Sequence, residues 1–156
     1  MKKYIEILGL GLILSCSAMA DTTIPWTKEG CESVKGTWIT AHSATDSGCD
    51  AAHCNGKSFC ISGIRMNWWS GLIWCQSIGH QLTSFANLCP NTPVDGSMVC
   101  ANIKGLYTTD SKRYGLTTMP LASGNTPFVQ FTSGTVANKN RNYASNAYSP
   151  YAICEE

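Results

Sequence analysis

The stretch that decides the fold is "MNWWSGLIWCQSIGHQL", which runs from Met66 to Leu82. Five of its residues recur at helical spacing and therefore share one face of a helix: Trp68, Gly71, Leu72, Cys75 and Gly79. Asn67 is suited to cap this helix at its start. Gly79 is suited to end it in a left-handed conformation. The stretch therefore predicts a helix from Trp68 to near Gly79, with Leu82 folding back on it.

Weaker signals on either side of this helix predict a mixture of short helices and strands. Thr83 or Ser84 is suited to cap a shorter helix through Leu88, which Cys89 and Pro90 close. "GCESVKGTWI" predicts a helical turn ending near Gly36, followed by an extended piece. "VCANIK" (99–104) and "YAICEE" (151–156) predict strands, and "FVQF" and "TVA" (128–131 and 135–137) predict a hairpin. The predicted fold class is α+β.

The first twenty residues carry the features of a secretory signal peptide. Lys2 and Lys3 precede an apolar core, and Ala18-Met19-Ala20 forms a small-x-small cleavage site. An alternative is a lipoprotein processing box ending at Cys16, which would anchor the chain to a membrane through a lipid. Either interpretation predicts export, to a periplasmic, cell-surface or secreted location.

Charge and hydropathy argue against two classes of partner. Without residues 1–20, Lys plus Arg falls from 11 to 9 and Asp plus Glu from 10 to 9, so that the remaining chain is formally neutral. A nucleic-acid binder would need a basic excess, and none is present. No other apolar run approaches the roughly 18 residues that a membrane span requires. We therefore expect neither a nucleic-acid partner nor a membrane span.

Eight cysteines remain after Cys16, and an even number in an exported chain predicts four disulfides. Four of them lie in residues 21–60, a turn-rich segment that we interpret as a cysteine-rich N-terminal annex to a main domain of residues 61–156. Within the annex we expect Cys31 to pair with Cys49, and Cys54 with Cys60. A zinc site on Cys49, His53 and Cys54 is the rival hypothesis, although the segment lacks a paired Cys-x-x-Cys arrangement. We expect no metal and no other cofactor.

The pattern Trp68-x-x-Gly71-x-x-x-Cys75-x-x-x-Gly79-x-x-Leu82 resembles the first-helix signature of C-type lectin-like domains. The chain's end, Tyr151-Ala152-Ile153-Cys154-Glu155, resembles the closing strand of that family. The wording "MNWWS…WC" resembles its short exported bacterial branch in particular. The resemblance covers roughly residues 58–156. It implies two helices, a small antiparallel sheet and a long loop region, held together by disulfides.

The resemblance also implies that Cys75 pairs with Cys154. The family's second disulfide cannot exist in its usual form, because no cysteine lies between Cys100 and Cys154. A bond between Cys89 and Cys100 is a local substitute for it. Phe128-Val129-Gln130-Phe131 takes the place of the family's central strand. These departures leave the predicted fold unchanged but alter the second disulfide and the central strand of its second half.

The sugar-binding function of the family does not transfer with the fold. Sugar-binding members chelate calcium through acidic and amide motifs that are missing here, and no Asp or Glu lies between Lys112 and Ala152. The loop just before the last strand mixes Asn, Tyr and Ser, the residue types on which antibody loops rely. The predicted ligand-binding residues are Lys139, Asn140, Arg141, Asn142, Tyr143, Asn146 and Tyr148.

Catalysis is not expected. A Cys75–His80 hydrolase would need a free thiolate, and eight paired cysteines leave none. We interpret His42, His53 and His80 as solvated loop residues. Trp68 is expected in the core, and Trp69 or Trp74 is expected to pack against the annex. We therefore predict a non-catalytic binding module for an unknown protein or glycan. The alternatives are a display protein diversified by a retroelement and a structural subunit of an envelope or pilus-like assembly.

Overall fold

The computed structural model describes residues 23–93, 99–106 and 151–156 in full, together with the backbone of three strands at 114–116, 126–130 and 135–139. Its helices are α1 (Lys28–Ser33), α2 (Trp68–Ser77), α3 (Phe85–Leu88) and a 3-10 turn (Ala101–Ile103). Its strands are β1 (Thr37–Thr40), β2 (Ser58–Arg65), β3 (Gln81–Leu82), β4 (Tyr114–Leu116), β5 (Thr126–Gln130), β6 (Thr135–Lys139) and β7 (Tyr151–Glu155). The fold is α+β, as predicted.

The strands form one sheet in the order β1-β2-β7-β4-β5-β6, and β3 also pairs with β7. The pairings are antiparallel except that between β4 and β7, which is parallel. The last strand of the chain is thus the centre of the sheet, with β2 on one side and β3 and β4 on the other. The boundary predicted between residues 60 and 61 falls within β2, and β1 from the preceding segment pairs with it.

Alternating side chains on the central strands build a separate hydrophobic core on each face of the sheet. Ile153 of β7 lies in one core with Phe85 and Leu88 of α3. Cys154, the next residue, lies in the other core with Trp68 and Cys75 of α2. Because successive side chains point to opposite faces, a shift of register by one residue would expose both cores at once.

The two predicted helix starts are confirmed in detail. The Asn67 side chain accepts a hydrogen bond from the Ser70 backbone N–H at 2.8 Å and so begins α2. Ser84 caps α3 in the same way by accepting from the Asn87 N–H at 3.0 Å. Gly79 follows α2 with φ of +83°, the left-handed conformation expected of it.

An irregularity in β2 sets the shape of the sheet beside β7. Ile61 pairs with Ile153, and Arg65 pairs with Tyr151. Three residues of β2 therefore lie opposite the single residue Ala152 of β7. The fully buried hydroxyl of Ser62 replaces the missing backbone partner: it accepts from the Ala152 N–H at 3.0 Å and donates to the Ile64 carbonyl at 2.8 Å. A Cβ at Gly63 would overlap the Lys35 carbonyl oxygen, so only glycine fits there.

Four disulfides join the eight cysteines of the described residues, and two of these bonds differ from the predicted pairing. The bonds are Cys31–Cys60, Cys49–Cys54, Cys75–Cys154 and Cys89–Cys100. The expected Cys31–Cys49 and Cys54–Cys60 pairs are wrong, because α1 packs over β2 and brings the buried Cys31 to Cys60. Four disulfides indicate folding outside the reducing cytoplasm.

Two of these bonds lie side by side. Cys60 and Cys154 face each other in register across β2 and β7, and they bond to Cys31 and Cys75 respectively. Gly36 makes room for the first bond, since a Cβ there would lie 2.6 Å from both the Cys31 and the Cys60 sulfur. The adjacent bonds tie α1 and α2 to neighbouring strands on the same face of the sheet.

One predicted strand is wrong and one predicted hairpin is confirmed. Residues 101–103 of "VCANIK" form the 3-10 turn, because the Cys89–Cys100 bond and the buried Asn102 side chain hold them against α3. The backbone of β5 pairs with β6 in an antiparallel register, as the hairpin prediction requires. The predicted signal peptide lies outside the described residues. Within the part of the chain that is described, no helix is long and apolar enough to span a membrane.

Candidate functional site

The predicted binding loop is fixed at its two ends, and most of it lies outside the described residues. Lys139 is the last residue of β6, and β7 resumes at Tyr151. The six predicted residues that lie outside the description are Asn140, Arg141, Asn142, Tyr143, Asn146 and Tyr148. The pairings make β6 and β7 run in the same direction, so this segment starts at one end of the edge strand and finishes at the opposite end of the central strand.

The three tryptophans of the opening stretch have different environments. Trp68 is buried against Cys75 and Met66, as predicted, and the ring of Trp69 meets its edge at 4.7 Å between centroids. Trp74 is half-buried and packs against the core cluster that contains Trp68 and Cys75, and its expected contact with the annex stays a prediction. Trp69 remains 56% exposed.

An apolar groove lies between the end of β2 and the outer face of α2; we call it the α2 groove. It has a volume of about 650 Å³, and its lining includes Ile64, Arg65, Met66, Ser70, Ile73 and Trp74. Ile64 and Ile73 are 70% and 62% exposed. The guanidinium of Arg65 lies 5.9 Å from the centre of the Tyr151 ring, within cation–π range. Apolar side chains exposed together typically mark a contact surface.

A second groove lies where β2 begins and β7 ends; we call it the Trp26–Trp38 groove. It has a volume of about 500 Å³. The half-buried rings of Trp26 and Trp38 form one side, and they meet at 5.0 Å between centroids with an interplanar angle of 62°. The polar side is formed by Lys57, Ser58, Gln81, Asn87, Glu155 and Glu156. No local sequence pattern points to this groove, because its residues come from six separate places in the chain.

On the polar side of the groove, the Glu155 side chain is held by several hydrogen bonds. Its carboxylate is buried and accepts hydrogen bonds from the Thr83 hydroxyl at 2.7 Å and from the Asn87 amide at 2.9 Å. The Ser84 backbone N–H adds a longer contact of 3.4 Å. These donors come from α3 and the residues before it, so they hold the end of β7 in place.

The three histidines make more contacts with neighbouring residues than predicted. His80 was expected in solvent, but it is half-buried: its Nε2 lies 2.9 Å from the Ile24 carbonyl, and its ring packs 4.6 Å from that of Trp26. His42 and His53 do lie in the loop between β1 and β2, and each pairs with an aspartate of that loop. The Nδ1 atoms lie 3.2 Å from Asp46 and 2.8 Å from Asp50 respectively.

Hydrogen bonds lower the pKa of both aspartates. At Asp46 the main cause is the Ser43 backbone N–H, with His42 contributing, and partial desolvation opposes both. At Asp50 the main cause is the His53 side chain, with the Ala52 and His53 backbone N–H groups adding to it against partial desolvation. Both carboxylates are therefore held as acceptors that organise the loop.

Disulfide bonds occupy the cysteines that a hydrolase or a zinc site would need. Cys75, the candidate nucleophile, is fully buried and bonded to Cys154. Cys49 and Cys54, the candidate zinc ligands, are bonded to each other. Among the residues that the structure describes, no group of three His, Cys, Asp or Glu is placed to hold a metal ion.

Comparison of the chain with models of protein families, with curated proteins and with solved structures finds no match. The basis for a function is therefore the chain's own residues and their arrangement.

Proposed function

We propose that this chain is an exported, non-catalytic binding module with a C-type lectin-like fold. It recognises a protein or glycan through the loop of residues 139–148, and it does so without calcium. The protein acts after removal of its signal peptide, at the cell surface, in the periplasm or in the surrounding medium.

The observation that supports the proposal most directly is the covalent attachment of β7 to α2. β7 is the central strand of the sheet, and Cys154 within it is bonded to Cys75 of α2. Both ends of the segment between Lys139 and Tyr151 belong to this sheet. A loop whose ends are fixed on a rigid scaffold loses less conformational entropy when it binds a partner, which favours affinity.

The composition of the segment supports recognition of a partner through polar and aromatic contacts. Tyrosine supplies a large, rigid contact area, and asparagine and serine supply adaptable hydrogen bonds. The absence of any acidic residue between Lys112 and Ala152 in the sequence supports a mode of binding in which calcium takes no part.

The test uses the disulfide-bonded chain without its signal peptide, labelled and applied to a printed glycan array and to an array of purified envelope and extracellular proteins. A loop variant carries alanine at Asn140, Arg141, Asn142, Tyr143 and Tyr148. The control variant, Gln76→Ala, changes an exposed residue of α2.

We expect at least one glycan or protein to bind, and the loop variant to bind it at least about tenfold more weakly, a change of about 1.4 kcal/mol. The thermal midpoints of both variants should match that of the wild type, and a chelator should leave binding unchanged. Binding that survives in the loop variant, or that a chelator abolishes, contradicts the proposed site.

A further inference from the structure

The Trp26–Trp38 groove combines an aromatic wall with fixed polar groups at the end of the sheet opposite the start of β7. Trp26 precedes α1, and Trp38 lies on β1. Asn87 of α3 and Glu155 of β7 face the groove from the polar side. The cavity of about 500 Å³ lies within the range of ordinary small-molecule sites.

The aromatic wall is rigid. Trp26 contacts Trp38 on one side and His80 on the other, with centroid distances of 5.0 Å and 4.6 Å. His80 is itself held by the Ile24 carbonyl at 2.9 Å. A ring packed between two neighbours has little freedom to lose, so a ligand that stacks on the exposed part of the wall meets a preorganised surface.

The spacing of the rings argues against a cation between them. A cation sandwiched by two aromatic faces needs rings far enough apart to admit it, whereas Trp26 and Trp38 are in direct contact. A ring surface toward the groove remains available, and its negative quadrupole attracts weakly polarised C–H groups. The wall therefore favours a flat ligand with C–H groups on one face.

The polar side favours a ligand that carries hydroxyl groups. The Glu155 carboxylate has about four lone-pair sites, and its donors Thr83, Asn87 and the Ser84 backbone N–H leave acceptor capacity for a hydroxyl donor. Gln81 adds an exposed amide, whose NH₂ group donates to the Glu156 carbonyl at 3.1 Å. Lys57 adds an exposed ammonium donor.

We propose that the Trp26–Trp38 groove binds a pyranose ring, with its C–H face on the tryptophans and its hydroxyl groups toward Glu155, Gln81 and Lys57. The site is distinct from the loop of residues 139–148. It shares with the proposed function only the premise that the chain is a binding module, so either site can fail alone.

The test is a titration of the disulfide-bonded chain with a panel of methyl pyranosides: glucoside, galactoside, mannoside, N-acetylglucosaminide and glucuronide. The five tryptophan indole N–H signals are followed by NMR and assigned by single Trp→Phe variants. We expect at least one pyranoside to bind with a Kd below about 10 mM and to shift the Trp26 and Trp38 signals while leaving that of Trp69 in place.

Variants then separate ligand contact from folding. Trp26→Ala removes half of the wall and should weaken binding by about fivefold or more. Because Trp26 also packs against core residues, Lys57→Ala and Gln81→Ala at exposed positions serve as a second pair, each expected to weaken binding about twofold to threefold with an unchanged thermal midpoint. Trp69→Ala is the matched control, and the loop variant should also bind the pyranoside normally.

Three results would overturn the proposal. The first is a panel in which no pyranoside binds below about 10 mM. The second is binding that Lys57→Ala, Gln81→Ala and Trp26→Ala leave unchanged. The third is preferential binding of tetramethylammonium, which would make the groove a cation site. Loss of pyranoside binding in the loop variant alone would place the sugar at the loop instead of this groove, supporting the proposed function while refuting this one.

Discussion

Asn102 is a buried amide that connects three separate parts of the fold. Its Oδ1 accepts from the Asn55 backbone N–H at 3.0 Å, and its Nδ2 donates to the Asn55 side-chain oxygen and to the Leu88 carbonyl, both at 3.0 Å. The residue is fully buried, so no water can replace these partners after substitution without rearrangement.

We therefore expect Asn102→Ala to lower the free energy of unfolding by about 3 kcal/mol, because it leaves buried polar groups without partners. Urea unfolding with the disulfides intact measures the change. Gln76→Ala, which removes an exposed amide from α2, is the control and should stay within about 0.5 kcal/mol of the wild type. A loss below about 1 kcal/mol for Asn102→Ala would contradict the assigned network.

Two glycines separate steric from conformational requirements. Gly63 has no room for a Cβ beside the Lys35 carbonyl oxygen, whereas Gly48 has open space but a left-handed φ of +83°. Gly63→Ala should cost about 2–3 kcal/mol through overpacking against the backbone. Gly48→Ala should cost about 1–2 kcal/mol through conformational strain alone. Equal unfolding midpoints for Gly63→Ala and the wild type in the same urea titration would contradict the close approach of Gly63 to the Lys35 carbonyl oxygen.

At the scale of elements, the loop between β1 and β2 is organised by two acidic side chains whose pKa lies below the ordinary value of 3.8. In the unfolded chain both return to that value, so the unfolded state takes up protons first as the pH falls. The stability that these carboxylates contribute is therefore present above pH 3.8 and is lost as the pH drops through the folded-state pKa.

The double variant Asp46→Asn, Asp50→Asn should consequently lose less stability on acidification than the wild type. Unfolding free energies measured between about pH 6 and about pH 2 give the comparison. Glu29→Gln, at an exposed position of α1, serves as the control and should follow the wild-type profile. Identical pH profiles for the wild type and the double variant would show that the aspartate hydrogen bonds do not persist in solution.

The elements that could be predicted from the sequence are those specified by neighbouring residues. Asn67 and Gly79 mark the two ends of α2, and Ser84 marks the start of α3. Local patterns could not show that residues 101–103 form a turn, because the buried Asn102 finds its partners in Asn55 and Leu88, far away in the chain.

The same reason explains the mispaired cysteines and the grooves that were not foreseen. Cys31 reaches Cys60 only after α1 has packed on β2, and the sequence distance between them gives no hint of this. Trp26 and Trp38 meet Asn87 and Glu155 only through the order of strands in the sheet. Ile64 of β2 and Ile73 of α2 are exposed although both side chains are apolar, and no local pattern shows that they line one groove.

At the scale of the whole molecule, the disulfides divide into long-range and local bonds. Cys75 and Cys154 are 79 residues apart in sequence, whereas Cys49 and Cys54 are 5 apart. On the chain-entropy model these loops are worth about 4.5 and about 2 kcal/mol respectively, since the longer loop restricts the unfolded chain more. The long bond also joins α2 to β7, the central strand of the sheet.

Removing each bond by paired alanine substitution tests this difference. The Cys75→Ala, Cys154→Ala variant should lose more stability than the Cys49→Ala, Cys54→Ala variant, with a further loss because both sulfurs of the long bond are fully buried. Thermal unfolding of the oxidised proteins gives the order. A Cys49–Cys54 variant that is the less stable of the two would contradict the role assigned to the long bond.

The central claim is that β7, the strand that follows the predicted binding loop, is fastened to α2 by the Cys75–Cys154 bond. Peptide mapping of the oxidised protein by mass spectrometry under non-reducing conditions tests it most directly. We expect a peptide that links Cys75 to Cys154, together with links for Cys31–Cys60, Cys49–Cys54 and Cys89–Cys100. A peptide that joins Cys75 to any other cysteine, or a free thiol at Cys75, would contradict it.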